Sequence, residues 1–257
     1  MNFSKFKNRY IITGELIVEN ALHIGSGEVE GDKDAPFIKR GLSDNDFYIP
    51  GSSFRGYLRS KLEGLINLEL KADGKTLSEL HIMALFGYTN LEKECKRKNI
   101  ENGYEKMKDI LKIKDAKKWD SAMGRIHIAD MPITIENDKE KQAKEITRDG
   151  IKIDRNTGTT EDRGKFDYNV LSEGTKFKFT MTLENVEKYE LDLLRIALQF
   201  MSDGDIFGGK TSRGIGKCKL ELNKAFYVDE ENKRDFLLKG DMKTDTAINV
   251  LATNVIK

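Results

Sequence analysis

Residues 175–184 read TKFKFTMTLE. Phe177, Phe179, Met181 and Leu183 fall on one side of this alternation, with lysines and threonines on the other. A period of two over ten residues belongs to a strand with one buried and one wetted face. Such a strand needs a sheet around it and an apolar layer against it. That layer is expected from two stretches with helical periodicity. Residues 52–70 place Phe54, Leu58, Leu62, Leu65 and Ile66 on one face. Residues 186–201 do the same with Leu193, Leu194, Ala197, Leu198 and Met201. Either Ser52 or Ser53 can cap the first of these helices.

Further strands are expected at 10–20 (YIITGELIVEN), 124–131 (GRIHIADM) and 218–227. Pro132 ends the second of them or marks an edge. With loops removed, the order is strand, helix, strand, strand, helix, strand. This is the split βαβ, or ferredoxin-like, order of an α+β domain. Four segments depart from it. Residues 21–50 carry Gly25, Gly27, Gly31, Pro36, Gly41 and Pro50 and read as a long loop, a kind that is usually functional. Residues 77–86 predict a second, shorter helix. Residues 95–119 are lysine-rich with weak helical periodicity and a surplus of five positive charges. Residues 147–172 are rich in Gly, Asp, Arg and Thr and read as an extended excursion with short strands. The segment after Tyr227 is charged, then weakly apolar.

Charge excludes one simple class. The chain has 257 residues with Lys+Arg 44 and Asp+Glu 43, a net +1, so it is not a uniformly basic nucleic-acid binder. Local asymmetry remains. Residues 49–61 hold three cations and no acid, and residues 207–219 hold four cations and no acid. No apolar run approaches the length of a membrane span. The first ten residues lack the apolar core of a secretory signal. Cys95 and Cys218 form neither a disulfide framework nor a metal spacing, so a reducing cytoplasm is expected. No organic-cofactor fingerprint occurs.

Three constellations can carry chemistry. At 49–59, Gly51-Ser52-Ser53 opens a helix whose N-terminal N–H groups suit a phosphate, and Arg55 and Arg59 share one face. The bland alternative is an ordinary cap and a solvated face. At 207–217, four glycines between Gly208 and Gly216 surround Lys210 and Arg213. Such a nest fits an anion or a nucleic-acid backbone. It is not a P-loop, because the spacing is wrong and a strand follows. The alternative is a flexible turn. At 22–36, His23, Gly25, Ser26 and Gly27 precede Asp32 and Asp34. Acids on such a loop can bind a divalent ion or move a proton, or can merely be solvated. His81 and His127 read as structural. Phe166, Tyr168 and Trp119 can stack bases or simply be buried.

Together, LHIGSG at 22–27, DAPFI at 34–38, YIPGSSFRGYLRSKLE at 48–63, LFG at 85–87, the stretch 147–177 and FGGKTSRGIGKCKLE at 207–221 resemble one family. The chain is similar to the RAMP superfamily of CRISPR-associated proteins. Within it, Asp34-Ala35-Pro36 and residues 147–177 resemble the backbone subunit of type III effector complexes. The resemblance implies a single modified ferredoxin-like, RNA-recognition-motif-like domain over 1–257. Its core would comprise about 10–69, 120–131 and 174–227, with a lysine-rich helical insertion at about 70–119, a thumb hairpin within 132–173 and a C-terminal extension at 228–257.

It implies copies stacked along a guide RNA, other effector subunits, and cleavage of complementary target RNA with a divalent metal, Mg²⁺ or Mn²⁺. Asp34 matches the catalytic acid, with Asp32 as the nearby ambiguity. His23, Ser52, Ser53, Arg55, Arg59, Arg148, Gly208, Gly209, Lys210, Ser212 and Arg213 match RNA contacts. No metal ligands are assigned. Two other roles stay open, a guide-processing endoribonuclease of the same superfamily and a non-catalytic RNA-binding scaffold. The lysine-rich insertion is a lid, a further RNA contact or a solvated helix.

Overall fold

The computed structural model describes residues 5–27, 36–41, 45–68, 70–72, 75–113, 120–134 and 144–251. Its first strand, β1 (Arg9–Val18), buries Ile12, Leu16 and Val18 on one face. A two-residue strand, β2 (Ala21–Leu22), leads into the long connection before helix α1 (Gly51–Leu65). A helical group follows, comprising α2 (Glu79–Phe86), α3 (Leu91–Arg97) and α4 (Gly103–Leu111). The second sheet strand is β3 (Ile126–Ile128). A ribbon of β4 (Glu145–Ile153) and β5 (Thr160–Ser172) comes next. Then follow β6 (Lys176–Glu184), α5 (Lys188–Ser202), β7 (Asp205–Ile206) and β8 (Lys217–Val228). The chain continues through α6 (Lys233–Lys239), β9 (Lys243–Thr246) and α7 (Ala247–Leu251).

The main sheet is antiparallel and runs β7-β8-β1-β6-β3, with β9 also on β8. The alternation in β6 does what its period requires, burying Phe177, Phe179, Met181 and Leu183. These meet β1 in register, with Leu16 opposite Phe177 and Ile12 opposite Met181. Helices α1 and α5 supply the covering layer through Phe54, Leu58, Leu62, Leu194, Ala197 and Leu198, all at most 1 % exposed. Gly51 is needed where α1 starts, because a Cβ there would lie 2.0 Å from the Ile128 carbonyl oxygen.

Neither Ser52 nor Ser53 caps α1. Pro50 occupies the N-cap position, both serines sit in the first turn, and the Asp130 carboxylate accepts the Gly51 N–H at 2.8 Å. An acid supplied from β3's end thus already uses part of the expected phosphate site. The described parts of the 21–50 segment, residues 21–27, 36–41 and 45–50, are tied together. Gly25 bridges Phe37, Lys39 bridges Phe47, and the buried Phe37 and Phe47 rings meet edge to face at 5.7 Å. The excursion at 147–172 forms one long ribbon, with strands of 9 and 13 residues, rather than short strands. Cross-strand pairing supplies the order that its polar sequence hid. Pro132 pairs with Tyr48, and Ile133 bridges Phe177 of the main sheet. The described part of the C-terminal extension, up to Leu251, joins the fold. β9 extends the sheet, and Ala247 and Leu251, four apart on α7, enter the main core.

The helical group has its own small core, made by Leu80, Met83, Tyr88, Leu91, Cys95, Met107 and Leu111. Among the described residues, several of its cations meet acids. Lys98 meets Glu63 and Glu79, Lys112 meets Glu187, and Lys96 and Arg97 meet Glu92 and Glu94. This favours the solvated helical surface over an RNA contact. Trp119 lies outside the described residues. Among the described residues no helix is long and apolar enough to cross a membrane.

Candidate nucleic-acid interface

β1 carries the chain across the sheet, and β2 then pairs with β5 at Leu22 and Leu171. This turn delivers His23 to the base of the ribbon. The imidazole is 4 % exposed and donates Nδ1–H to the Asn169 carbonyl at 2.6 Å. Its ring meets Tyr168 edge-on at 5.8 Å. A polar chain of contacts backs it. Thr147 and Asn169 bond through side chains at 3.1 Å, Asn169 Nδ2 donates to Glu145 at 2.7 Å, and Lys39 pairs with Glu145 at 3.1 Å. Burial pushes the His23 pKa down. The bond to Asn169 opposes that shift and the Lys210 charge reinforces it.

The glycine-rich loop closes over His23. Gly209 donates its N–H to the His23 carbonyl at 2.8 Å. Gly208 has φ of 96°, and a Cβ there would stand 2.7 Å from that same carbonyl oxygen. Both conformation and space therefore demand glycine. Gly208→Ala is expected to cost about 1–3 kcal/mol of stability and to displace the loop from His23. Urea unfolding checks the first effect and RNA affinity the second.

The first turn of α1 faces this loop. Gly25, Ser53, Tyr57, Phe207, Gly208, Gly209 and Thr211 line a cleft of about 420 Å³, with Ile24 and Ile206 at its sides. Ser53 and Tyr57 are one turn apart and share this face. Tyr57 donates to Asp205 at 2.7 Å, and Lys61 lies 2.5 Å from the same carboxylate. Burial raises the Asp205 pKa, but the bonds from Lys61 and Tyr57 outweigh it and hold the carboxyl below its ordinary range. Tyr57, Asp205 and Asn169 escaped the sequence reading. Only the four-residue step from Ser53 to Tyr57 was available to suggest the first.

Next to the cleft, Lys210 and Arg213 stand over the ribbon's aromatic rings. Arg213 lies 4.4 Å from the Phe166 centroid, and Lys210 lies 4.9 Å from that of Tyr168. The two rings thus carry cations rather than lying open for bases, and Tyr168 is buried. Phe166 and Arg213 also border a shallow groove of about 850 Å³ along the ribbon. Arg148 is exposed on β4 opposite Tyr168. Ser212 is exposed in the short turn Thr211–Arg213.

Two expected contacts fall elsewhere. Arg55 and Arg59 line a separate cleft of about 350 Å³ beside Phe86, Gly87 and Tyr88. Two residues along a helix is a turn of about 200°, so Arg55 cannot share the Ser53 face. Arg55 donates to the Phe86 carbonyl and lies over that ring, and Arg59 pairs with Glu63 at 3.0 Å. Arg55 thus ties α1 to the helical group, while the Arg59 pair stays within α1. Burial, then the neighbouring Arg59 charge, lowers the Arg55 pKa.

Asp32 and Asp34 lie outside the described residues. The residues that bound their segment are held near the cleft: Ser26 donates its N–H to the Pro36 carbonyl at 3.2 Å, and Ile38 donates to Ile24 at 2.9 Å. His81 accepts from the Ser78 N–H at 3.1 Å and meets Tyr189 edge-on, a structural role. His127 is exposed on β3.

A mixed α+β fold with this antiparallel sheet, and a glycine-rich loop clasping a histidine, defines a class of protein. The family model of the RAMP superfamily matches residues 15–219, and the chain belongs to that superfamily. It is 27% identical over 247 residues to a protein of Methanocaldococcus jannaschii named CRISPR system Cms endoribonuclease Csm3. That match covers 89% of this chain and 87% of the relative. A protein of the same name from Methanothermobacter thermautotrophicus is 44% identical over 62 residues, 23% of this chain and 25% of the relative.

Proposed function

We propose that this chain is the guide-RNA-binding backbone subunit of a type III CRISPR effector complex and cleaves complementary target RNA at regular intervals. The observation that carries the reading is the convergence of His23, Ser53, Gly208, Gly209 and two cations at the base of a long ribbon. It supports an RNA path because backbone N–H groups, a hydroxyl and loosely held cations suit a phosphodiester strand. The names of the two relatives support the endoribonuclease activity. The order β8-β1-β6-β3, all antiparallel, supports reading the core as ferredoxin-like. The ribbon is the thumb of this proposal. Copies of the chain and other effector subunits are its partners, and the cytoplasm is its place.

RNA carries its own nucleophile. A splayed nucleotide brings its 2′-oxygen in line with the adjacent phosphorus. The new O–P bond forms as the bond to the 5′-oxygen breaks. The 2′-hydroxyl proton passes to a base, and the leaving oxygen takes one up. The products are a 2′,3′-cyclic phosphate and a 5′-hydroxyl. Asp34 is the loop acid of this proposal, with Asp32 as its neighbour. Among the described residues no three His, Cys, Asp or Glu side chains gather as a metal site. A carboxylate with substrate oxygens is still a donor set suited to Mg²⁺ or Mn²⁺, which would neutralise phosphate charge when bound.

Replacing Lys210 and Arg213 with alanine together tests the RNA path. RNA of every sequence is expected to bind more weakly, and the log–log salt slope to fall by about 1.4, near 0.7 for each lost phosphate contact. Filter binding over a salt series measures both. An unchanged slope would place the strand elsewhere. RNA copurified with the chain and sequenced gives an independent reading, with guide-derived RNA as the expected result.

A further inference from the structure

We propose that His23 accepts a hydrogen bond from a ribose 2′-hydroxyl at Nε2 and so sets a preference for RNA over DNA. The inference rests on the RNA-binding reading above and adds which atom of the strand is read. A histidine beside a polyanion invites the view that it clasps phosphate as a cation. The geometry points elsewhere.

Nδ1 faces a carbonyl oxygen, that of Asn169 at 2.6 Å, so Nδ1 must carry the proton. In the neutral ring Nε2 is then a bare acceptor. A phosphate oxygen has no proton to give it. Burial and the neighbouring Lys210 charge both oppose a second proton on the ring. Nε2 makes no hydrogen bond among the described residues. It faces the two glycines of the cleft wall. A methyl group added at Gly25 would lie 3.4 Å from it, and one at Gly209 would lie 4.0 Å away. Both glycines line the cleft with Ser53, and His23 is the only described side chain among the atoms nearest to either added methyl, so the cleft wall over the buried ring is glycine alone.

The ring cannot turn to offer its other nitrogen without losing the Asn169 bond. The position is therefore fixed as an acceptor. Of the groups on a nucleic-acid backbone, only the 2′-hydroxyl is a donor, and it is the group that separates RNA from DNA. Lys210 and Arg213, outside the cleft, remain the phosphate contacts.

The test uses the full chain and one single-stranded sequence made as RNA, as 2′-fluoro RNA and as DNA. Fluorine keeps the RNA sugar pucker and cannot donate. Unmodified RNA is expected to bind about fivefold more tightly than 2′-fluoro RNA, the worth of one hydrogen bond. In His23→Phe, which keeps a ring beside Tyr168, that gap is expected to close. Equal affinity of the wild-type chain for RNA and 2′-fluoro RNA would overturn the inference while leaving the RNA-binding reading intact. A fivefold gap that persists in a folded His23→Phe chain would also overturn it. Failure of the wild-type chain to bind any of the three strands would overturn both.

Discussion

Asp34→Ala is expected to lower target-RNA cleavage by about 10²–10⁴-fold while guide binding stays unchanged. Those factors are what a positioned proton-transfer group is worth. The proposed reaction asks little else of the protein, because the nucleophile and the leaving group both belong to the RNA. Guide binding should survive because the proposal gives the acid the cut alone, while Ser53, Gly208 and Gly209 line the cleft and the glycine-rich loop bonds to His23. Asp32→Ala is the matched control, expected to keep cleavage within a few-fold. Gel assays with end-labelled target measure both variants. Full cutting by Asp34→Ala with loss in Asp32→Ala would move the role by two residues. Full cutting by both would remove it from this loop.

The second large effect concerns stability. Arg125 and Glu190 form an ion pair with side chains 2 % and 0 % exposed. Glu190 also accepts the Glu187 N–H at 2.8 Å, so the pair fixes the start of α5. Arg125 in turn donates its backbone N–H to Leu85 and accepts from Glu184, between α2 and β6. Arg125→Met is expected to cost about 3–5 kcal/mol, because it strands a buried carboxylate. Burial already raises the Glu190 pKa, and Arg125 opposes that rise. Without the arginine, the folded carboxyl rises further, while the unfolded one stays at about 4.3. The folded state then holds the extra proton, and stability falls as pH climbs from the unfolded value through the folded one. The deficit against wild type should therefore be larger near pH 8 than near pH 5. Urea unfolding at both values measures it. A deficit under about 1 kcal/mol, or one independent of pH, would contradict the assignment.

Most of the main sheet could be read from local periodicity. The alternation of β6 and the apolar faces of α1 and α5 are properties of ten to fifteen neighbouring residues, and they survive folding unchanged. The ribbon was only half legible. Its first strand is largely exposed, so no apolar alternation marks it, and its order comes from pairing with the second across the turn. Glycine spacing announced the loop around Gly208, and the structure explains it through His23. Long-range partners were invisible. Asp130 reaches the start of α1 from 79 residues away, and Arg55 is engaged by Phe86 from 31 residues away. Lys98 and Lys112 of the lysine-rich segment likewise meet Glu63, Glu79 and Glu187, which no window over that segment includes. Local charge marked Lys210 and Arg213, which the fold brings beside the cleft, and marked Arg55 and Arg59 equally, which it places beside Phe86.

The central claim is guided, periodic cutting of RNA. The most direct measurement assembles the complex with its guide, adds complementary target RNA with Mg²⁺ or Mn²⁺, and sequences every new end. The account predicts cuts at a constant spacing within the paired region, each leaving a 2′,3′-cyclic phosphate and a 5′-hydroxyl. An intact target with either metal, or a single cut in repeat RNA made by the chain alone, would contradict it.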